Sequence, residues 1–254
     1  TFMAVTLPSA LVIVLLLFVR EPPRRETVAS ATTRSTTRLR DVFLHLRDNA
    51  RLFCGVLLGL TMMAAAGYAT NLWVPTYFIR VHEWSPLKIG SLFGITVIIA
   101  SAGGVFFGGA VAAALMRRGH SAANLTVPLI AGAAAIPFAV AFPLVPSAEL
   151  SFLVMIPVLF LGVVPFGCGT AVLPIISPNR MRAQVVAVYL LIANIIGFTA
   201  GPTSVGALTD YLFGDPGAIN YSLSISPALF LVTGCALVLW AIRPYTQLIE
   251  QSAD

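Results

Sequence analysis

The sequence predicts an all-α integral membrane protein in which six helices form a bundle after the end of an earlier helix. Three observations lead to this fold class. Of 254 residues, 58% are hydrophobic and only 10% are charged, so the chain is far more apolar than a soluble domain. Seven apolar runs follow one another along the chain. The lysines and arginines gather in every second connection between these runs.

Each apolar run reaches or approaches the roughly 20 residues that a helix needs to cross a bilayer. We predict helices in all of them because an open strand cannot satisfy its backbone polar groups in lipid. The alternating pattern of a membrane barrel is absent from the sequence. The runs are residues 2–19, 52–79, 87–116, 125–145, 150–176, 183–213 and 223–242.

The first run has no basic segment before it and ends in Arg20-Glu21-Pro22, which is unlike a signal peptide. We interpret it as the end of a membrane helix whose upstream partners are missing. The domain prediction follows: residues 1–19 end this earlier helix, 20–51 form a cytoplasmic basic linker with a short amphipathic helix, 52–242 form a six-helix transmembrane bundle, and 243–254 form a cytoplasmic tail.

The linker fixes the predicted orientation, because it holds eight arginines against four acidic residues, and short basic loops stay cytoplasmic. Thirteen of the 15 basic residues then lie inside and two outside. We therefore predict an integral protein of the bacterial inner membrane, with the basic loops and the C-terminus in the cytoplasm. The later inside residues are Arg117, Arg118, Arg180, Arg182 and Arg243, and the outside ones are Arg80 and Lys88.

The end of the linker has an amphipathic pattern. Apolar residues recur every three or four positions and charged residues take the other side, which predicts a short helix on the inner membrane surface. Such a helix is either a latch or lipid-sensing element or a plain connector. The apolar positions are Leu39, Val42, Phe43, Leu46 and Ala50, and the charged ones are Arg40, Asp41, Arg47, Asp48 and Arg51.

Several function classes are excluded by composition. The positive charge lies in loops between apolar runs, so we expect no nucleic-acid binding. The three cysteines stand far apart inside apolar runs, and the three histidines fall in loops or at interfaces, so we expect neither a disulfide framework nor a metal site. An enzyme would need a nucleophile or metal cluster within the spans, and none is visible. We predict no enzymatic activity and no cofactor.

An internal repeat links two of the runs. Ala102-Gly103 with Gly108 and Ala200-Gly201 with Gly206 share the spacing AGxxxxG, in helices predicted to cross the membrane in opposite directions. Three helices followed by an inverted copy are common in secondary carriers. Glycine pairs four residues apart also predict close helix approach, either as tight packing or as a moving contact surface. They are Gly55 and Gly59, Gly90 and Gly94, Gly104 and Gly108, and Gly197 and Gly201.

A glycine pair at Gly108-Gly109 is followed by Arg117-Arg118-Gly119, with Ala112 and Ala113 between them. This stretch resembles the loop motif of the major facilitator superfamily, a glycine pair followed by an acid and then by basic residues with glycine, except that the two alanines stand where the motif has an aspartate. The basic linker is similar to the superfamily's long connection between its sixth and seventh helices. Together they resemble the carboxy-terminal half of such a transporter. The resemblance implies that residues 1–19 end helix 6, that residues 52–242 are helices 7–12, and that an amino-terminal six-helix half is missing.

Two further stretches are Trp73-Val74-Pro75-Thr76-Tyr77 and the segment from Asn194 through Gly201-Pro202 to Asp210. They resemble the spinster-like branch of that superfamily. This resemblance implies lipid-like or amphipathic anionic substrates such as lysolipids.

The substrate-cavity candidates are uncharged, because no Asp, Glu, Lys, Arg or His lies in the middle of any span and no proton carrier is visible. Tyr68, Asn71 and Pro75 share one helical face, and Asn194, Gly197, Gly201 and Ser204 share another. A polar group in hydrocarbon needs a partner, which is either substrate and water or a second helix. The cavity candidates are Tyr68, Asn71, Asn194 and Ser204.

A second set of candidates concerns the loop motif and gating. Arg117 and Arg118 contact either lipid phosphates or a facing helix, or else they only anchor the topology. Asp210 lies towards the outer end of its run, where an interfacial cap is favoured over a coupling acid. The full set is Gly108, Gly109, Arg117, Arg118, Gly119 and Asp210.

The leading hypothesis is a secondary active or facilitative transporter of a small organic solute, amphipathic or lipid-like by resemblance. This bundle would rock against the missing half and expose a central cavity to either side in turn. Its expected partners are the missing half, membrane lipids and the substrate. The alternative is a standalone six-helix protein that acts as a homodimeric carrier or as a non-transport scaffold.

Overall fold

A computed structural model describes residues 39–253 of the chain, and this part is helical throughout apart from short connections. The predicted first run and the linker up to residue 38 lie outside the described residues. The helices are α1 (Leu39–Asp48), α2 (Ala50–His82), α3 (Pro86–Arg117), α4 (Ala123–Ala141), α5 (Ala148–Cys168), α6 (Val172–Ile176), α7 (Arg182–Ile192), α8 (Phe198–Ala207) and α9 (Ile219–Ala253).

These helices make up six segments that are long and apolar enough to cross a membrane, which confirms the predicted fold class. The first and second spans are α2 and α3. The third is α4 with the short turn that follows it, the fourth joins α5 to α6, the fifth joins α7 to α8, and the sixth is α9 with the turn before it. In order they are Ala50–His82, Pro86–Arg117, Ala123–Leu144, Ala148–Ile176, Arg182–Phe213 and Pro216–Glu250.

Two spans depart from regular α-helix in their interior. The fourth tightens into a 3-10 turn at Gly169–Ala171, between Pro165 and Pro174. The fifth widens into π-helical turns at Ala193–Gly197 and Leu208–Phe213. The change in the fourth span lies between two prolines, each of which removes a backbone donor and crowds the preceding turn. The apolar runs alone gave no sign of either change.

Glycine contacts show the helix directions. Gly55 of α2 faces Ala241 of α9, and Gly59 faces Val238, where an added Cβ would lie 2.7 Å from the valine Cγ2. These two helices therefore run antiparallel. The start of α2 lies beside the later part of α9, and we call this end of the bundle, marked by Arg51 and Arg243, the basic end.

Two further crossings are parallel and are related to each other. Gly104 of the second span packs on the backbone of Phe160 in the fourth, and Gly201 of the fifth packs on that of Ala65 in the first. If the first three spans are exchanged with the last three, the second span takes the place of the fifth and the fourth takes the place of the first. The two crossings are then exchanged with each other. This is the packing expected of an inverted repeat. By contrast, an added Cβ at Gly90 or Gly94 would meet nothing within 4 Å.

The interior is apolar along the whole bundle. One cluster includes Phe78 and Phe142 towards the end opposite the basic end, and another includes Phe53 and Tyr245 near the basic end. The first span is the most buried of the six because other spans surround it. The spans packed around the first span therefore determine which of its side chains remain accessible.

Helix α1 occupies part of the predicted amphipathic segment, but its apolar residues divide between two sides. Val42 is buried and Leu46 packs beside it against the cluster of the basic end. His45 meets Phe53 edge to face, with ring centroids 5.3 Å apart. Phe43, on the other hand, is 63% exposed. One side of α1 is thus attached to the bundle, and the other is left open to its surroundings.

A buried polar cluster holds the opposite end together. The Tyr77 hydroxyl lies 2.9 Å from His82 Nε2 and 3.1 Å from Ser151 Oγ, and it donates to the carbonyl of Pro143 at 3.2 Å. Ser151 donates to the carbonyl of Phe142 at 2.6 Å. The cluster joins the ends of the first and third spans to the start of the fourth. A buried phenol needs such partners because an unpaired hydroxyl in the interior is costly.

Candidate functional site

A cleft of about 150 Å³ lies between α2 and α5 and reaches inwards to α4 and α9. Its deep part is formed by buried apolar side chains. One helix face alone could not make it, because the sixth span contributes at Pro227 and Leu231. The buried lining residues are Met63, Ala64, Ala66, Thr70, Ala135, Val158, Leu159, Pro227 and Leu231.

The mouth of the cleft carries its polar groups. Asn71 is exposed there, and its amide nitrogen donates to the carbonyl of Gly67 at 2.9 Å. The carboxamide oxygen of Asn71 accepts no hydrogen bond from any described residue. Tyr68 lies beside it, with its ring edge-on to Phe198 at 5.3 Å. Phe166 completes the mouth from α5. An apolar interior with a few polar groups at the entrance is typical of a small-molecule site.

Two glycines give the cleft its open space. An added Cβ at Gly67 or Gly162 would meet nothing within 4 Å, although both residues line the cleft. Sequence reasoning missed both. A glycine that leaves room for a ligand and a glycine that admits a neighbouring helix look alike in a sequence, so no signal could have separated them.

The four cavity candidates do not all meet in this cleft. Tyr68 and Asn71 line it, whereas Asn194 and Ser204 do not. Asn194 is exposed on the fifth span and donates to the carbonyl of Leu190 at 2.7 Å. The Ser204 hydroxyl lies 2.6 Å from that of Ser226, which joins the fifth span to the sixth.

The two stretches that resemble the spinster-like branch pack against each other. Trp73 donates its indole N–H to the carbonyl of Pro202 at 2.8 Å. An added Cβ at Gly206 would lie 3.3 Å from the Trp73 ring. Together with the Gly201 crossing, these contacts fix the fifth span along the first.

The loop-motif candidates lie on the last turns of α3. Gly108 is buried against Val164, whereas an added Cβ at Gly109 would meet open space. Arg117 and Arg118 are exposed. Ala112 is buried in an apolar cluster. An aspartate at Ala112 would lack a partner there, which fits the departure from the motif.

Gly119 ends α3 with a left-handed conformation at φ 86°. Its N–H donates to the carbonyl of Met116 at 3.0 Å, and that of His120 donates to the carbonyl of Leu115 at 3.1 Å. This is the paired bonding of a Schellman cap, which favours glycine because a Cβ is strained at positive φ.

We expect Gly119→Ala to lower the free energy of unfolding by about 1–2 kcal/mol, the usual cost of a left-handed residue that carries a Cβ. Thermal unfolding of the purified full-length protein measures it. Gly109→Ala is the matched control, since Gly109 is helical and has open space around it. Equal stability of the two variants would contradict the role of the cap.

Asp210 lies in the π-helical turn at the end of the fifth span and is exposed. Its carboxylate makes no hydrogen bond or ion pair with another residue within 39–253. Its neighbour Thr209 donates to Ser222 at 2.8 Å and so ties this turn to the sixth span. In the same part of the chain, no three His, Cys, Asp or Glu side chains come close enough together to hold a metal ion.

The sequence profile described as Major Facilitator Superfamily matches residues 1–202. The chain belongs to the major facilitator superfamily. This superfamily comprises transporters rather than enzymes. The match spans well over half of the chain and includes every span up to part of the fifth. A search of curated proteins found no significant match.

Solved structures share the superfamily fold. A crystal structure of a bacterial homolog to the human lysosomal transporter Spinster, inward-facing and unoccupied, matches with a TM-score of 0.70 at 24% identity, over 97% of this chain and 59% of that one. A crystal structure described in the same words, but inward-facing and occupied, matches with a TM-score of 0.60 at 21% identity, over 98% of this chain and 57% of that one. The chain therefore spans somewhat more than half the length of the transporter structures that it matches.

Proposed function

We propose that the chain forms the carboxy-terminal half of a secondary active or facilitative transporter, which moves a small organic solute across a membrane by alternating access. The cleft between α2 and α5 carries this proposal. It lies within a bundle of the superfamily fold, it is open at Asn71, and its glycines leave space that no described side chain fills.

An amino-terminal six-helix half is the proposed partner. The matched transporter structures are longer than this chain, so a second bundle has a counterpart in them. Rocking of two bundles about a site between them would expose the mouth of the cleft to each side in turn. The loop motif at Arg117 and Arg118 would then contact either the facing bundle or lipid phosphates, and the exposed Asp210 would lie at the membrane interface.

The chemistry of the cleft favours an amphipathic substrate. Buried Met63, Ala135 and Leu231 would receive an apolar part, and Tyr68 and Asn71 would hydrogen-bond a polar part at the mouth. A lipid-like solute fits this division. The resemblance to the spinster-like branch supports the same substrate class.

We propose that the basic end faces the cytoplasm, in the inner membrane of a bacterium. Of the described lysines and arginines, only Arg80 and Lys88 lie towards the opposite end. An excess of Lys and Arg in short loops marks the cytoplasmic side. Labelling of a single introduced cysteine at each end, in intact cells and in inverted vesicles, tests this orientation.

The test of the cleft compares Asn71→Leu with Asn194→Leu in the full-length transporter. Both amides are exposed, and each donates to the carbonyl four residues earlier in its own helix. Each substitution therefore removes the same kind of hydrogen bond within its helix. Only Asn71 lines the cleft. Loss of a hydrogen bond to substrate costs about 1–3 kcal/mol, so we expect Asn71→Leu to lower uptake about tenfold or more. Asn194→Leu should lower it less.

Equal uptake by Asn71→Leu and wild type, at equal amounts of inserted protein, would contradict substrate contact at Asn71. The intact mass of the native polypeptide tests the second bundle separately. A chain long enough for another six spans supports the proposal. A native chain that begins near Thr1 would favour a homodimeric carrier or a scaffold.

A further inference from the structure

A groove of about 560 Å³ lies between the start of α2 and the later turns of α9, at the basic end. It shares no residue with the cleft described above. Two arginines and four apolar side chains line it: Arg51, Ala236, Leu239, Trp240, Ile242 and Arg243. The groove therefore combines two positive charges with a wholly apolar remainder.

The charges of the groove are not neutralised by the described part of the chain. No described carboxylate lies within 4.0 Å of Arg51 or Arg243. The ion pair found among the described residues joins Lys88 to Glu149 instead. The guanidinium carbon of Arg51 lies 5.6 Å from the centroid of the Trp240 ring, which holds this arginine against the groove by a cation–π contact. Guanidinium groups present paired donors that match the oxygens of a phosphate.

The apolar side of the groove continues along α9 away from the arginines. Leu239 is 60% exposed and Trp240 is 46% exposed. Val232 and Leu229 follow on the same side of the helix and are also exposed, at the spacing of successive turns. A tryptophan next to basic side chains is typical of the level where the bilayer meets water. The apolar track then extends towards the hydrocarbon core.

We propose that this groove binds a membrane phospholipid with an anionic headgroup. Arg51 and Arg243 bind its phosphate and headgroup, and an acyl chain lies along Trp240, Leu239 and Ala236. A free phosphate anion would leave the apolar side chains unused. A zwitterionic headgroup would bring a cation towards two arginines that no described carboxylate neutralises. The proposal does not depend on which solute the cleft carries.

The experiment uses the purified full-length protein after delipidation. It is titrated with dioleoyl-phosphatidylglycerol or with dioleoyl-phosphatidylcholine, and bound lipids are counted by native mass spectrometry. We expect the wild type to retain phosphatidylglycerol in preference to phosphatidylcholine. Arg51→Gln with Arg243→Gln should weaken phosphatidylglycerol binding by about 10- to 30-fold, given the usual attraction of an arginine to an anionic membrane.

A matched control removes two exposed arginines elsewhere on the predicted cytoplasmic side, Arg40→Gln with Arg180→Gln. Neither residue lines the groove, so we expect phosphatidylglycerol binding to stay at the wild-type level. An equal loss in the control pair would overturn the site in favour of general surface charge. Equal binding of the two lipids by the wild type would overturn the anionic preference, and displacement by glycerol phosphate alone would identify free phosphate as the ligand.

A second variant guards against an effect on folding. Arg51→Lys with Arg243→Lys loses the forked donors but keeps both positive charges. Because the charges remain, we expect this pair to bind phosphatidylglycerol more tightly than the glutamine pair. If the lysine pair binds as weakly as the glutamine pair while both unfold at the wild-type temperature, the electrostatic basis of the site is wrong.

Discussion

Gly162→Leu is expected to abolish transport by the full-length protein while leaving it folded. An alanine Cβ at this position would meet nothing within 4 Å, and the longer leucine side chain would extend into a cleft of only about 150 Å³. A single methylene too many in an apolar pocket reduces activity about 10- to 200-fold, so we expect a loss of at least about 100-fold in uptake. Uptake into proteoliposomes measures it.

Two controls isolate the cleft from the helix. Gly162→Ala adds only the Cβ and should retain transport. Gly90→Leu adds a leucine to a second glycine with open space around it, outside the cleft, and should leave uptake close to wild type. The proposed role of the cleft would be refuted if Gly162→Leu transported as well as Gly162→Ala, or if Gly90→Leu and Gly162→Leu lost uptake equally.

Gly201→Ala is expected to destabilise the bundle. A Cβ at Gly201 would overlap the backbone of Ala65, whose carbonyl carbon would lie 3.0 Å away. Backbone cannot move aside as a flexible side chain can, so the fifth span would have to shift along the first. Overpacking of this kind costs about 1–3 kcal/mol and at times more. Thermal unfolding of the purified full-length protein should show a lower midpoint.

The same substitution elsewhere provides the comparison. Gly104→Ala would overlap the backbone of Phe160 at the related crossing, and we expect a similar loss of stability. Gly162→Ala and Gly67→Ala, where the Cβ meets open space, should unfold at the wild-type temperature or above it, because alanine favours helix over glycine. If all four variants unfolded alike, close packing at the two crossings would not matter for stability.

The sequence predicted those features of the fold that depend on neighbouring residues in the chain. Hydropathy alone located the six described spans, because crossing a bilayer requires an apolar stretch of fixed length. The ends of α3 also follow from sequence. Pro86 begins the helix after Ser85, which caps Lys88 N–H at 3.3 Å, and Gly119 ends it at positive φ. The changes inside the fourth and fifth spans were not predicted, because similar prolines in α4 leave its helix unbroken.

The site was only partly predictable. Asn71 and Asn194 give the same signal in sequence, an amide within an apolar helix, yet only Asn71 lines the cleft. Ser204 was predicted to be a cavity candidate from its helix face, and that face turned out to meet Ser226. The direction in which a helix face points depends on how neighbouring helices rotate it, which no single helix encodes.

The sequence by itself determined the superfamily, through the resemblance of its motifs. It also determined the number of described spans and the uneven distribution of basic residues, because both depend on composition along the chain. The tertiary structure decided which glycines serve packing and which leave open space. It separated Gly104 and Gly201, where backbones meet, from Gly67 and Gly162, where nothing does. The physical reason is that the position of a second helix decides whether a glycine allows close packing or leaves open space, and the sequence around the glycine does not specify that position.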